Sequence, residues 1–240
     1  MQGLQLKEAR TRDGLFIVTY TYVQGPADVQ DLAFAAAGLD TISPAVKGML
    51  MAGVDDNIFT PYSRTDIDVF YDDRGSGRVV LARGKPISQL FLSDMVDAHK
   101  HGREFVIPEN MRDAVYDATD TMLGNGKAVA VDYGTHQTLS SRLGNEGLTS
   151  FMYGDPSLGI DAQTFGDWLA EQRDTHTTIF DGKEYAARQK GPYLTRLRLC
   201  GPDLDFFAVG NNMNLDYSGS AFGVLIKRSA EQAVSQLLIP

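Results

Sequence analysis

The chain is poor in the residues that would announce its chemistry. A single cysteine, Cys200, in 240 residues leaves no internal disulfide and no Cys-x-x-Cys motif, which excludes a disulfide scaffold, a zinc knuckle and a dithiol redox site. One cysteine also fits a reducing compartment. No stretch approaches the roughly 18 apolar residues of a membrane span, and residues 1–12 lack an apolar core of signal-peptide length. The expected location is therefore cytoplasmic, with no membrane partner. Positive charge is short as well: 22 Lys and Arg face 31 Asp and Glu, for a net charge of -9. Such a balance repels nucleic acid and anionic membranes, so nucleic acid is not an expected partner.

Cofactor fingerprints are missing too. Gly124-Asn125-Gly126-Lys127 lacks the Ser/Thr of a Walker loop and the third glycine of a dinucleotide motif, and it precedes a strand rather than a helix. Asp55-Asp56-Asn57 lacks the spacing and closing Glu of an EF-hand. There is no Gly-x-Ser-x-Gly elbow. Neither a cofactor nor a metal is expected.

Hydrophobic patterning is abundant. Residues 15–23 are β-branched and aromatic, as a strand requires. Gly25-Pro26 opens a helix that Gly38 stops. Ser43-Pro44 opens a second, ended by Gly53, whose middle is apolar apart from Lys47. Residues 66–72 and 78–83 form a hairpin around a glycine-rich turn. Pro86 begins a helix to about His101, a short strand covers 104–107, and Pro108 begins a helix stopped by Gly124. Residues 127–133 read as a buried strand. The stretch 134–159 reads as a long loop with a strand at 148–152, and Asp161 caps a helix to about 174.

Beyond that point the pattern is β: 177–180 and 183–188 flank Asp181-Gly182, followed by strands at 193–200, 204–209 and 221–228. Ser229 with Gln232 begins a last helix. The expected fold is α+β, a predominantly antiparallel sheet with a C-terminal meander of four to five strands and five to six helices packed on it. The domain reading is one compact unit over 1–240, with a weak lobe break within 134–159.

Four clusters carry candidate chemistry. His99-Lys100-His101, with Glu104 nearby, offers metal-ligating side chains, but it sits where a helix ends and where cationic residues are favoured by the macrodipole. His136 stands at the end of a strand, with a near-neutral intrinsic pKa suited to a general base and Asp132 four residues before it to orient it; Ser140 or Ser141 would then serve as nucleophile. Glu109, Asp113, Asp117 and Asp120 share one helical face, either solvated or paired with a basic partner. Arg188, Lys190, Arg196 and Arg198 form a local basic patch in an acidic chain, suited to a phosphate or another small anion. Arg196 and Arg198 alternate against Leu197 and Leu199, as on the wet face of a half-buried strand.

The apolar residues Val46, Met49, Leu50 and Met51 of the second helix are either core or an interface. The function expected from these features is a non-catalytic binding or assembly protein, with a homo-oligomer or another protein as partner. The alternatives are a small hydrolase using His136 and Asp132, and an anion- or nucleotide-binding domain using the Arg/Lys patch.

Overall fold

The computed structural model describes residues 4–54, 58–74, 78–103, 105–132, 135–139, 142, 144, 147–172, 176–181, 192–199, 207–209 and 219–229. Among these the strands are β1 (Lys7–Arg10), β2 (Phe16–Gly25), β3 (Asp40–Thr41), β4 (Ser63–Asp72), β5 (Arg78–Ala82), β6 (Ala128–Val131), β7 (Thr135–Leu139), β8 (His176–Asp181), β9 (Tyr193–Leu199), β10 (Phe207–Val209) and β11 (Gly219–Arg228). The helices are α1 (Ala27–Ala36), α2 (Pro44–Gly53), α3 (Leu92–Lys100), α4 (Arg112–Gly124), α5 (Gly147–Tyr153) and α6 (Ala162–Gln172).

The α+β class is as expected, but the sheet is mixed rather than predominantly antiparallel. Its main path runs β1-β2-β11-β4-β9-β10-β8-β7, with β3 on β11, β5 on β4 and β6 on β5. β10 runs parallel to β8, and β11 meets β4 in parallel through Ala221 and Arg64. Of the expected C-terminal meander, β9 and β10 do pair as antiparallel neighbours, but β9 and β11 also make long-range pairings. β9 inserts between β4 and β10, and β11 pairs along its whole length with β2, from Gly219 opposite Gly25 to Arg228 opposite Phe16. Short turns favour sequential neighbours, yet a strand apolar on both faces is better buried between two others. β11 supplies such a strand in Ala221, Phe222 and Val224.

Helices cover both faces. Along β4, Ile67, Val69 and Tyr71 enter one core, roofed by α2, α5 and α6. Phe70 enters the other, roofed by α3 and α4. β5 divides in the same way, with Val79 and Leu81 on one side and Val80 and Ala82 on the other. This two-period alternation makes β4 and β5 an inner layer, which explains their almost unbroken burial.

Local signals place several elements. Ser43 caps α2, its Oγ accepting from the Val46 amide at 3.2 Å. Asp161 precedes α6 and accepts from the Gln163 amide at 2.9 Å. Two expectations fail locally. Residues 148–152 belong to helix α5, where Thr149, Met152 and Tyr153 turn into the core at helical spacing. Phe105 and Ile107 are buried, but in irregular backbone rather than the expected strand. The stretch 134–159 carries β7, which pairs with β8. The proposed strand 183–188 and the last helix lie outside the described residues.

Candidate functional site: a buried charge network and an acidic cavity

β4 and β9 are antiparallel neighbours with Asp68 opposite Arg196. Both side chains leave the sheet on the face that α1 and the segment after β5 cover. Arg196 is buried and grips Asp31 of α1 with both terminal nitrogens, Nη1 to Oδ1 at 2.9 Å and Nη2 to Oδ2. Arg196 Nη2 also donates to Ser88 Oγ at 3.0 Å. Lys85 Nζ reaches Asp31 Oδ1 at 2.9 Å and Thr41 Oγ1 at 3.0 Å. Asp68 Oδ2 accepts the amides of Ile87 and Ser88 at 2.8 and 2.7 Å. Its Oδ1 faces Arg196 Nε at 3.8 Å, beyond hydrogen-bond reach.

The two carboxylates respond in opposite ways. Burial pushes Asp31 up, but the charges and hydrogen bonds of Arg196 and Lys85 outweigh it and hold the group below the ordinary carboxylate range. Asp68 is completely enclosed, and there burial wins over Arg196 and the Ser88 and Ile87 donors, so its pKa is raised.

The expected basic patch is thus corrected in part. Arg196 and Arg198 do alternate against Leu197 and Leu199, but the arginine face is not wet: both are buried. Arg196 is neutralised by Asp31. Arg198 lies 5.6 Å from the centre of the Tyr62 ring, and burial lowers its pKa. Arg198 and Arg64 converge on Gly219, where a Cβ would lie 3.0 Å from Arg64 Cζ and 3.1 Å from Arg198 Nη2. Arg188, Lys190 and Cys200 lie outside the described residues.

Three of the four apolar residues named on α2 belong to the chain's own core. Val46, Leu50 and Met51 are buried, covered by the chain's own α5 and α6. A Cβ at Gly48 would come within 2.9 Å of the Phe165 ring, so the glycine permits this close crossing. Met49 is half-buried and lines a cavity of ≈360 Å³ with Leu15, Phe16 and Phe165. Lys47 is wholly buried, and its Nζ donates to Pro61 O (2.7 Å), Ser63 Oγ (2.7 Å) and Leu199 O (2.9 Å).

The histidines fall into place individually. His136 is half-buried on β7, its Nε2 3.1 Å from the backbone carbonyl oxygen of Asp132. Ser140 and Ser141 lie outside the described residues. His99 Nδ1 is 3.3 Å from Asp28 Oδ2, and His101 Nδ1 is 2.9 Å from Asp97 O. Asp120, from the acidic stripe, is taken up by Arg74 and Arg78 of the β4–β5 hairpin.

A cavity of ≈430 Å³ that no sequence pattern announces lies between β3, β4, β11, the turn after β5 and residues 155–158. Asp66 marks it. The β4–β9 register shifts between Arg64 and Asp68, and such bulges re-aim a side chain. At this break the Asp66 amide donates to Ile42 O (3.0 Å), and Asp66 O accepts from the Lys85 amide (2.9 Å). The following turn is tight: Gly84 has φ 77° and Lys85 φ 59°, Lys85 being the non-glycine residue in left-handed backbone among those described. Gly84 donates its amide to the Asp66 carboxyl, while Oδ1 of Asp66 is enclosed without a hydrogen-bond partner. Burial, against Arg83 and Lys85, pushes this carboxyl up to about 6. The signal lay in Asp66, Asp68 and Asp72, spaced by even numbers along a strand whose second half also holds Ile67, Val69, Phe70 and Tyr71.

No protein-family model and no curated protein matches the chain. Among solved structures it is similar to a C-type lectin-fold protein from Nanoarchaeota, in which that fold accommodates massive sequence variation. The identity is 11%, the alignment covers 95% of this chain and 99% of that one, and the TM-score is 0.55. At this identity the likeness is one of fold alone.

Proposed function

We propose that this protein is a non-catalytic binding protein that holds a small ligand in the ≈430 Å³ cavity beside Asp66. The observation that carries the reading is the convergence of separate chain segments, Asp66 among them, on one concavity. Small-molecule sites are clefts of this size. The strongest charges nearby, Asp31, Asp68 and Arg196, are committed to one another, which suits a rigid binding frame. Assembly with a second copy would need a surface other than α2, since α5 and α6 already cover its apolar residues.

The test is the mass of the purified protein under native and denaturing conditions, for the wild type and for a cavity-filling Leu158→Trp variant. The expected result is a small-molecule increment on the native wild type that is lost on denaturation and absent from the variant. A bare chain in both, together with ester hydrolysis abolished by His136→Ala, would overturn the reading in favour of a hydrolase.

A further inference from the structure

We infer that the protein associates with a second copy of itself through the outer edge of β1, the two strands running antiparallel about a two-fold axis at Ala9. This goes beyond the binding reading and supplies the surface that α2 does not.

β1 ends the main path of the sheet, and among the described residues β2 is its one strand partner. The Thr11 amide donates to Phe16 O at 3.1 Å, in continuation of the register that sets Ala9 opposite Val18 and Lys7 opposite Tyr20. Successive residues of an antiparallel strand direct their main-chain groups to alternate sides. Those of Lys7, Ala9 and Thr11 therefore face β2, and those of Glu8 and Arg10 face outward. Side chains alternate as well, between the two faces of the sheet. Ala9 packs on the core that α2, α5 and α6 roof, whereas Glu8 and Arg10 stand exposed on the other face.

Exposed charges on a strand edge ordinarily keep chains apart. This edge is charged but complementary to itself. A two-fold contact sets residue i against residue j and j against i. With the axis at Ala9, Glu8 lies opposite Arg10 of the partner subunit, and Arg10 opposite Glu8 of the partner subunit. Each of these pairs joins outward main-chain groups and exchanges two hydrogen bonds. Ala9 meets its own symmetry mate in the closer, non-hydrogen-bonded position, where a small side chain fits. Lys7 lies opposite Thr11, so no like charges meet. Moving the axis to Glu8 or to Arg10 would set two carboxylates or two guanidinium groups directly opposite, which is unfavourable. The order Lys7-Glu8-Ala9-Arg10 thus selects one register of self-pairing.

Sedimentation equilibrium of the intact chain tests the inference, on the wild type, on Glu8→Arg, on Arg10→Glu and on an equimolar mixture of the two variants. The expected result is a wild-type dimer, with self-association weakened about tenfold or more in each variant, since both cross-strand pairs change sign. The mixture should dimerise again, because the variant with two cations on its edge then faces the variant with two carboxylates. If a single variant fails to fold by circular dichroism, the double variant Glu8→Arg/Arg10→Glu decides: it restores complementarity, so a dimer like the wild type supports the register and a monomer overturns it. A wild type that stays monomeric at its highest soluble concentration overturns the inference. So does a dimer that neither single variant weakens, or a mixture that associates no better than its components.

Discussion

Arg196 and Asp31, far apart in the chain, meet as a two-pronged ion pair that fastens α1 to β9 across the buried face of the sheet. Lys85 adds a second cation to the same carboxylate. Removing one partner of a buried pair leaves the other charge uncompensated and typically costs about 3–5 kcal/mol. Asp31→Ala is therefore expected to lower unfolding free energy by that order, read from urea denaturation. The double variant Asp31→Leu/Arg196→Met should recover much of the loss. A single variant as stable as wild type would show that the pair is not formed. Because the folded-state pKa of Asp31 is depressed, its contribution is present above the unfolded-state value near 4 and is lost as pH falls through the lower folded-state value.

Asp66 has the opposite sign. Its folded-state pKa is raised to about 6, so the folded chain binds its proton more tightly than the unfolded chain does. The groups that bear on it are Arg83, Lys85 and Asp68, with Asp40 and Asp155 across the cavity. Stability should rise as pH falls from above 6 toward 4, by an amount of order 2–3 kcal/mol. Asp66→Asn should remove this component, so the wild-type minus variant difference in denaturation free energy should vary with pH over that window. A difference constant from pH 4 to 7.5 would rule the shift out.

Gly223 on β11 lies under Phe34 of α1, and a Cβ there would fall 2.3 Å from Phe34 Cδ1. Gly223→Ala forces the ring or the helix to move, at a cost of about 1–3 kcal/mol. In a Phe34→Leu background the same substitution should cost less, and the coupling in a double-mutant cycle measures the contact.

Lys47 makes three donor contacts in a buried setting. Lys47→Met keeps the length and removes the donors, leaving Pro61 O and Leu199 O without this partner. A loss of order 3 kcal/mol is expected, visible as a lower melting temperature by calorimetry. An unchanged melting temperature would mean that the carbonyls find other donors.

Much of the local structure was legible before any coordinate. Ser43 with Pro44 announced α2, Asp161 announced α6, and the glycine-rich turn announced the β4–β5 hairpin, because capping and turn chemistry act over a few residues. Sheet order was not legible. The strand at 221–228 is visible in sequence, but its pairing with β2 and β4 is set by residues distant in the chain. The alternation of Arg196 and Arg198 was also read correctly, yet alternation reveals which residues share a face and not whether that face is wet. Asp31, which decides the matter for Arg196, stands on an unremarkable stretch of α1. For the candidate site, Asp66 belongs to a visible acidic alternation, whereas its unpaired oxygen follows from a register break between Arg64 and Asp68 that no local pattern announces.

The place of β11 between β2 and β4 bears on how the chain is made. The centre of the sheet cannot close until residues 219–228 have left the ribosome, because until then β2 presents an unpaired edge and so does the Arg64 end of β4. Contacts of such sequence separation fold slowly, and exposed strand edges invite pairing with other chains. Arrest of translation before residue 219 should therefore yield a nascent chain that engages chaperones, with protection appearing abruptly once β11 emerges.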